Sequence, residues 1–243
     1  EYLSNAGYSV TIFENEEATY SKFHGSFLSN YDFIILDSHG NCNFKKSLFG
    51  TNYTGMLTGT PYNEDYVDYF DDGTIAMIPG SSPSGGTYFV MTNTLLTTYR
   101  FDDSFIFLSA CLSAVDLTGS GSLMKSFYDK GAGVVLGWNI SINSSYNNNF
   151  TSQFLKNLSY GGEAYYIVSD AKSMSEYDWD HLVIMNDSPY YLYECEPYGL
   201  SQKVNGNNVV FSWKVPQYSE YVENIIVINT PYSVERYNVS TNV

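Results

Sequence analysis

The sequence predicts an α/β fold with a mostly parallel central sheet flanked by helices, followed by a small C-terminal β-rich extension. Three observations carry this. Short, nearly continuous apolar runs recur at 32–37, 104–109 and 132–136, the pattern of strands buried on both faces. Helical patterns lie between them, so strand, helix and strand alternate as in crossover units. After Pro189 the chain changes to short aromatic and β-branched runs at 190–193, 209–213 and 224–228, separated by turn residues.

In chain order, residues 1–5 read as the tail of a helix closed by Gly7, and 8–13 as a strand. Residues 14–19 lead into an amphipathic helix ending near Asn30. The run 32–37 is a buried strand that stops abruptly at Ser38-His39-Gly40. From Asn41 to about Asp72 the chain is rich in Gly, Asn, Thr and Tyr and reads as an inserted loop with little secondary structure. Two uses stay open for it: an active-site wall or cleavable loop, or a surface decoration. Apolar runs at 74–78 and 88–91 and a helix over 93–100 follow.

The strand 104–109 again stops abruptly, at Ala110-Cys111. A helix over 123–130 is expected to be capped by Ser120 or Ser122 and closed by Gly131. The next strand, 132–136, ends at Gly137-Trp138. A helix with apolar residues at Phe150, Phe154, Leu155 and Leu158, a second over 163–174 and a last strand over 181–185 complete the sheet. The expected division is 1–195 for the α/β domain and 196–243 for the extension, or the start of an Ig-like module.

Composition bounds the function. With 44% hydrophobic and 17% aromatic residues, the 243-residue chain has ample material for a packed core. A net charge of -15, with no basic cluster longer than Lys45-Lys46, argues against nucleic acid as a partner, since phosphate binding needs a basic surface. No run of eighteen apolar residues is present to span a membrane. The absence of an initiator Met and of a signal-like start leads to the expectation of a piece of a longer polypeptide. Few Lys, many Tyr, Asn and Ser, and the acidic balance point to an extracellular or cell-surface protein. Asn52, Asn139, Asn143, Asn149, Asn157 and Asn238 lie in Asn-x-Ser/Thr sequons, which are either glycan acceptors or chance in an Asn-rich chain.

Chemistry concentrates at two strand ends. In open α/β sheets the carboxyl ends of parallel strands share one edge, so His39 and Cys111 are expected to converge there. An imidazole near a thiol can favour the thiolate and can protonate a leaving amine. Gly40, without a side chain, lets its backbone N–H approach a substrate carbonyl as part of an oxyanion hole, together with the N–H of Cys111. Cys42 is open as structural, regulatory or incidental, and no role falls to Cys195. A disulfide, if formed, would join Cys42 to Cys195 and spare Cys111. Three scattered histidines without paired ligand spacing make a zinc site unexpected, and the acidic stretch 64–72 does not match an EF-hand loop. No cofactor or metal is called for.

The stretches Phe33-Ile-Ile-Leu-Asp-Ser-His-Gly40 and Phe105-Ile-Phe-Leu-Ser-Ala-Cys111, in that order, resemble the caspase-fold cysteine peptidases. That group includes caspases, legumains, clostripain, gingipains, separases and CHAT-domain proteins. The resemblance covers roughly 1–195 and is closest to the CHAT and gingipain-like branches, where Leu-Ser-Ala-Cys, then Gly131-Ala132, then a strand leading to Trp138 is a familiar order. It implies a caspase-like three-layer sandwich whose N-terminal strand is missing here. It also implies a Cys111–His39 dyad acting on a peptide or protein substrate. The histidine and cysteine are 72 positions apart, longer than the ~50 of caspases. By resemblance Ser109, two before the cysteine, helps to line the specificity pocket, and Trp138, Asn139 and Ser141 form a cleft wall. Two non-enzymatic readings stay open: a CHAT-like or gingipain-like interaction module with an idle dyad, and an adhesion protein whose β-rich tail binds.

Overall fold

A computed structural model describes residues 2–5, 8–45, 52–61, 75–78, 88–93, 99–117, 121–159, 164–173, 181–186, 198–205, 208–214, 224–229 and 234–239. The helices are α1 (Tyr2–Asn5), α2 (Tyr20–Phe23), α3 (Gly25–Leu28), α4 (Leu123–Tyr128), α5 (Ser144–Leu158) and α6 (Ala164–Ser173). The strands are β1 (Phe33–Asp37), β2 (Gly40–Lys45), β3 (Asn52–Pro61), β4 (Ile75–Ile78), β5 (Tyr88–Thr92), β6 (Phe105–Ser109), β7 (Val134–Trp138) and β8 (Leu182–Asn186). Four further strands, β9 (Tyr198–Asn205), β10 (Asn208–Lys214), β11 (Asn224–Asn229) and β12 (Val234–Val239), pair as two antiparallel hairpins.

The architecture is mixed α/β. One sheet has the order β1-β6-β7-β8, parallel throughout except for β8, which runs antiparallel to β7. The central strands β6 and β7 are buried at every position, which is why their apolar runs do not alternate. Residues on one face, Phe105, Phe107, Val134, Leu136 and Trp138, pack with α5 and α6. Those on the other, Ile34, Leu36, Ile106, Leu108 and Val135, pack with α2, α3 and α4. Phenylalanine stacking concentrates on the first face, where Phe154 lies 5.5 Å from Phe105 and 5.9 Å from Phe150.

The second sheet, β2-β3-β5-β4, is antiparallel and corrects the expectation of a loop at 41–45 and 52–61; the rest of the expected loop, with the acidic stretch 64–72, lies outside the described residues. Its Met56 and Met91 join the core on the α2–α4 side. The glycines and threonines that suggest a loop have specific work here. Gly59 runs so close to the backbone of Asn15 that a Cβ would collide with its carbonyl, and its N–H donates to the Ala18 carbonyl at 2.7 Å. Buried Thr54 and Thr58 are satisfied by donating to the carbonyls of Val115 and Phe89, each at 3.1 Å.

Other differences have local causes. Residues 8–13 are extended but pair with no strand among the described residues; they line a groove of about 740 Å³ beside β1, which stands at the edge of its sheet as described. The expected helix up to Asn30 is two short helices, because His24 adopts an extended conformation (φ -71, ψ 139). Its Nδ1 then accepts from the Ser26 N–H and caps α3. Ser122 caps α4, accepting from the Lys125 N–H at 2.9 Å, and Gly131 ends that turn at φ +98. Helix α5 begins earlier than its apolar spacing suggests, with Asn143 as cap, since it opens on the exposed Ser144 and Ser145. The expected helix over 93–100, the run 190–193 and the boundary near 195 lie wholly or mostly outside the described residues.

Candidate active site

The parallel register of β1 and β6 ends on the pair Asp37 and Ser109. Two residues beyond each lie His39 and Cys111. They therefore follow, at the same offset, the carboxyl ends of two adjacent strands, which in a regular sheet lie about 4.8 Å apart up to that last pair. From His39 the chain passes into β2 and the second sheet. Two bonds fix that departure: the Leu57 N–H donates to the His39 carbonyl at 2.9 Å, and the Ser38 hydroxyl donates to the Leu57 carbonyl at 2.7 Å.

Gly40 packs directly on the turn that carries Cys111. A Cβ at position 40 would lie 2.9 Å from the Ala110 Cβ, 3.1 Å from the Cys111 nitrogen and closer still to the Cys111 carbonyl oxygen. Only glycine allows this approach. The residue after the cysteine, Leu112, has φ +58, a left-handed conformation that is costly for a branched side chain. The reversal is held by the Leu112 N–H donating to the Ile140 carbonyl at 2.9 Å. It lifts Cys111 out of the strand into a half-buried position at the sheet edge.

The loop after β7 meets the sulfur. The Ile142 N–H points at Sγ from 3.3 Å, and the thiol lies 3.5 Å from the Ile142 carbonyl oxygen. Ser113 ties the two central strand ends together: its buried hydroxyl donates to the Leu108 carbonyl and accepts from the Trp138 N–H, each at 3.0 Å.

Ser109 and Trp138, both expected to line a substrate cleft, are buried at 1% and 0% exposure, and this corrects their assignment. The Trp138 indole packs edge-on against Phe150 and donates to the Asn147 side-chain oxygen at 3.0 Å. The Asn147 amide in turn donates to the Ser109 hydroxyl at 2.6 Å. Asn139 is exposed and shares a 3.0 Å hydrogen bond with His181, so its amide is engaged within the fold. Ser141 is exposed on the same loop.

Beside His39 lies a cavity of about 220 Å³ lined by Asp37, Ser38, His39, Leu57, Thr58 and Tyr88, among others; Cys111 lies outside that lining. Burial raises the Asp37 carboxyl above its usual range, opposed by a hydrogen bond from Ser109 and by the charge of His39. Sequence reasoning missed Asp37 and Asn147. Asp37 carries a faint signal, an acid closing an apolar strand two residues before the histidine. Asn147 carries none, standing in the run Asn147-Asn148-Asn149.

Cys42 and Cys111 are free thiols, and the expected pairing with Cys195 involves a residue outside the described ones. Among the described residues no three of His, Cys, Asp or Glu cluster to hold a metal, and no helix is long and apolar enough to cross a membrane. Of the sequon asparagines, Asn157 is 3% exposed and donates to Asp170 at 3.1 Å, which leaves no room for a glycan. No family model matches the chain, and no curated protein matches it.

Proposed function

We propose that this chain is a caspase-fold cysteine endopeptidase in which Cys111 is the nucleophile and His39 the proton carrier. One observation supports it above the others: the histidine and the cysteine occupy equivalent positions beyond the last register pair of two adjacent parallel strands. The caspase-like sandwich is the finer reading of the mixed α/β architecture.

In this mechanism the Cys111 thiolate attacks the scissile carbonyl carbon, and the carbonyl electrons move onto oxygen. The N–H groups of Gly40 and Cys111 receive that oxyanion. Collapse breaks the C–N bond while His39 gives its proton to the departing amine. Water, deprotonated by His39, then hydrolyses the thioester and releases the acid and the thiol. The strained turn at Leu112 and the Ile142 amide hold the sulfur at the edge where this attack takes place.

The second reading is an interaction module with an idle dyad, favoured by the cavity that reaches His39 without Cys111. A thiol-reactive peptidyl electrophile separates the two. The peptidase reading expects the mass increment on Cys111 and not on Cys42, and loss of cleavage of a peptide library in Cys111→Ala. Cleavage at the wild-type rate by Cys111→Ala would overturn it.

A further inference from the structure

A one-way chain of hydrogen bonds ends at Ser109, the residue opposite the carboxyl next to the candidate dyad. It begins at the Trp138 indole, which can only donate, and this fixes the Asn147 amide with its oxygen toward tryptophan and its nitrogen toward Ser109. The Ser109 oxygen accepts from Asn147, which leaves its single proton to point onward, and Asp37 is its register partner on β1. Both links donate in the same direction, toward β1, and a carboxyl at the end of such a line accepts most strongly when ionised. The three members are buried, on the face packed by α5 and α6.

We propose that Asp37 is a positioning residue for His39, its carboxylate held in place by the Ser109–Asn147–Trp138 chain and its charge supporting the protonated imidazole that forms during proton transfer. This rests on the peptidase reading. Asp37 and His39 line the same 220 Å³ cavity. The groups that face them there are few. Tyr88, from β5, is the other titratable side chain in the lining; the segment before α3 contributes Asn15, Ala18 and Phe23, β3 contributes Leu57, Thr58 and Gly59, and Cys111 stands beyond β6. Among the described residues, Asp37 is the one carboxylate in this lining.

The test compares Asp37→Asn and Ser109→Ala with the wild-type full chain. The readouts are the pH profile of kcat/KM, the separate values of kcat and KM, and the pH profile of Cys111 alkylation by iodoacetamide, which needs no substrate. Asp37→Asn is expected to lower kcat about tenfold or more with KM changed by less than about twofold, and to displace both pH profiles. Ser109→Ala keeps the charge but removes its donor, and gives a smaller change of the same kind. A purely structural tie between strands would lower stability and leave the alkylation profile in place. Alkylation profiles of both variants that overlay the wild type would overturn the proposal. Persistent cleavage by Cys111→Ala would instead overturn the peptidase reading, with the alkylation profiles still reporting whether Asp37 acts on the Cys111–His39 pair.

Discussion

Replacing Gly40 by alanine places one methyl group against the backbone that carries the candidate nucleophile. The new Cβ would stand 2.9 Å from the Ala110 Cβ and nearer than that to the Cys111 carbonyl, while ordinary contact begins at 3.4 Å. Because the obstructing atoms are backbone and a methyl, no flexible side chain can swing away. The strand end of β6 or the start of β2 must therefore move by more than about 0.5 Å, an overpacking that costs about 1–3 kcal/mol. With a urea slope of about 2–3 kcal/mol/M, the unfolding midpoint falls by roughly 0.5–1 M. A misplacement of about 1 Å in a reacting group can cost about 100-fold, so the rate at Cys111 is expected to drop at least about tenfold. Urea titration followed by far-UV circular dichroism reads the first quantity, and iodoacetamide or peptidyl-electrophile labelling of Cys111 reads the second. A Gly40→Ala protein with the wild-type midpoint and labelling rate would show that Gly40 does not pack on the Cys111 turn.

Three other substitutions address separate parts of the structure. Ser113→Ala takes from the buried Trp138 N–H its Ser113 acceptor and leaves the Leu108 carbonyl with the Ala110 N–H, and should cost about 1–3 kcal/mol; a loss below about 0.5 kcal/mol in the same urea assay would contradict the bridge. Phe154→Ala removes a fully buried ring stacked among Phe33, Phe105 and Phe150 and should cost about 3–5 kcal/mol, with wild-type stability counting against that core. Folded Asp37 titrates above its ordinary 3.8, so its contribution favours the fold below that value and is lost as pH rises through the raised folded one. Asp37→Asn should therefore gain stability relative to the wild type between acidic and neutral pH, and a difference that stays constant across that interval would refute the sign.

What was legible in the sequence follows from burial. Strands β1, β6 and β7 declare themselves because strands covered on both faces need uninterrupted apolar residues, and β6 and β7 place Phe105–Leu108 and Val134–Leu136 in the core. Their abrupt ends at His39 and Cys111 are equally plain. The second sheet was hidden because β3 meets its environment through Gly59 and through threonines whose hydroxyls find backbone carbonyls, and these residue types read as turns. Residues 8–13 have the composition of a strand, yet pairing is a property of what lies alongside. Trp138 shows the limit at the site itself: a tryptophan at a strand end suits a cleft wall or a core equally, and only the position of Phe150 and Asn147 decides for the core.

The reversed direction of β8 puts its last residue at the end of the sheet away from the cysteine. At the carboxyl edge Trp138 is opposite Leu182, and at the far end Val134 is opposite Asn186. A strand of five residues spans about 17 Å, so the polypeptide leaves this sheet after Asn186 roughly that far from the edge bearing His39 and Cys111. A label placed at Asn186 itself would therefore report on the end of the sheet opposite the cysteine, and one at Leu182 on the end beside it.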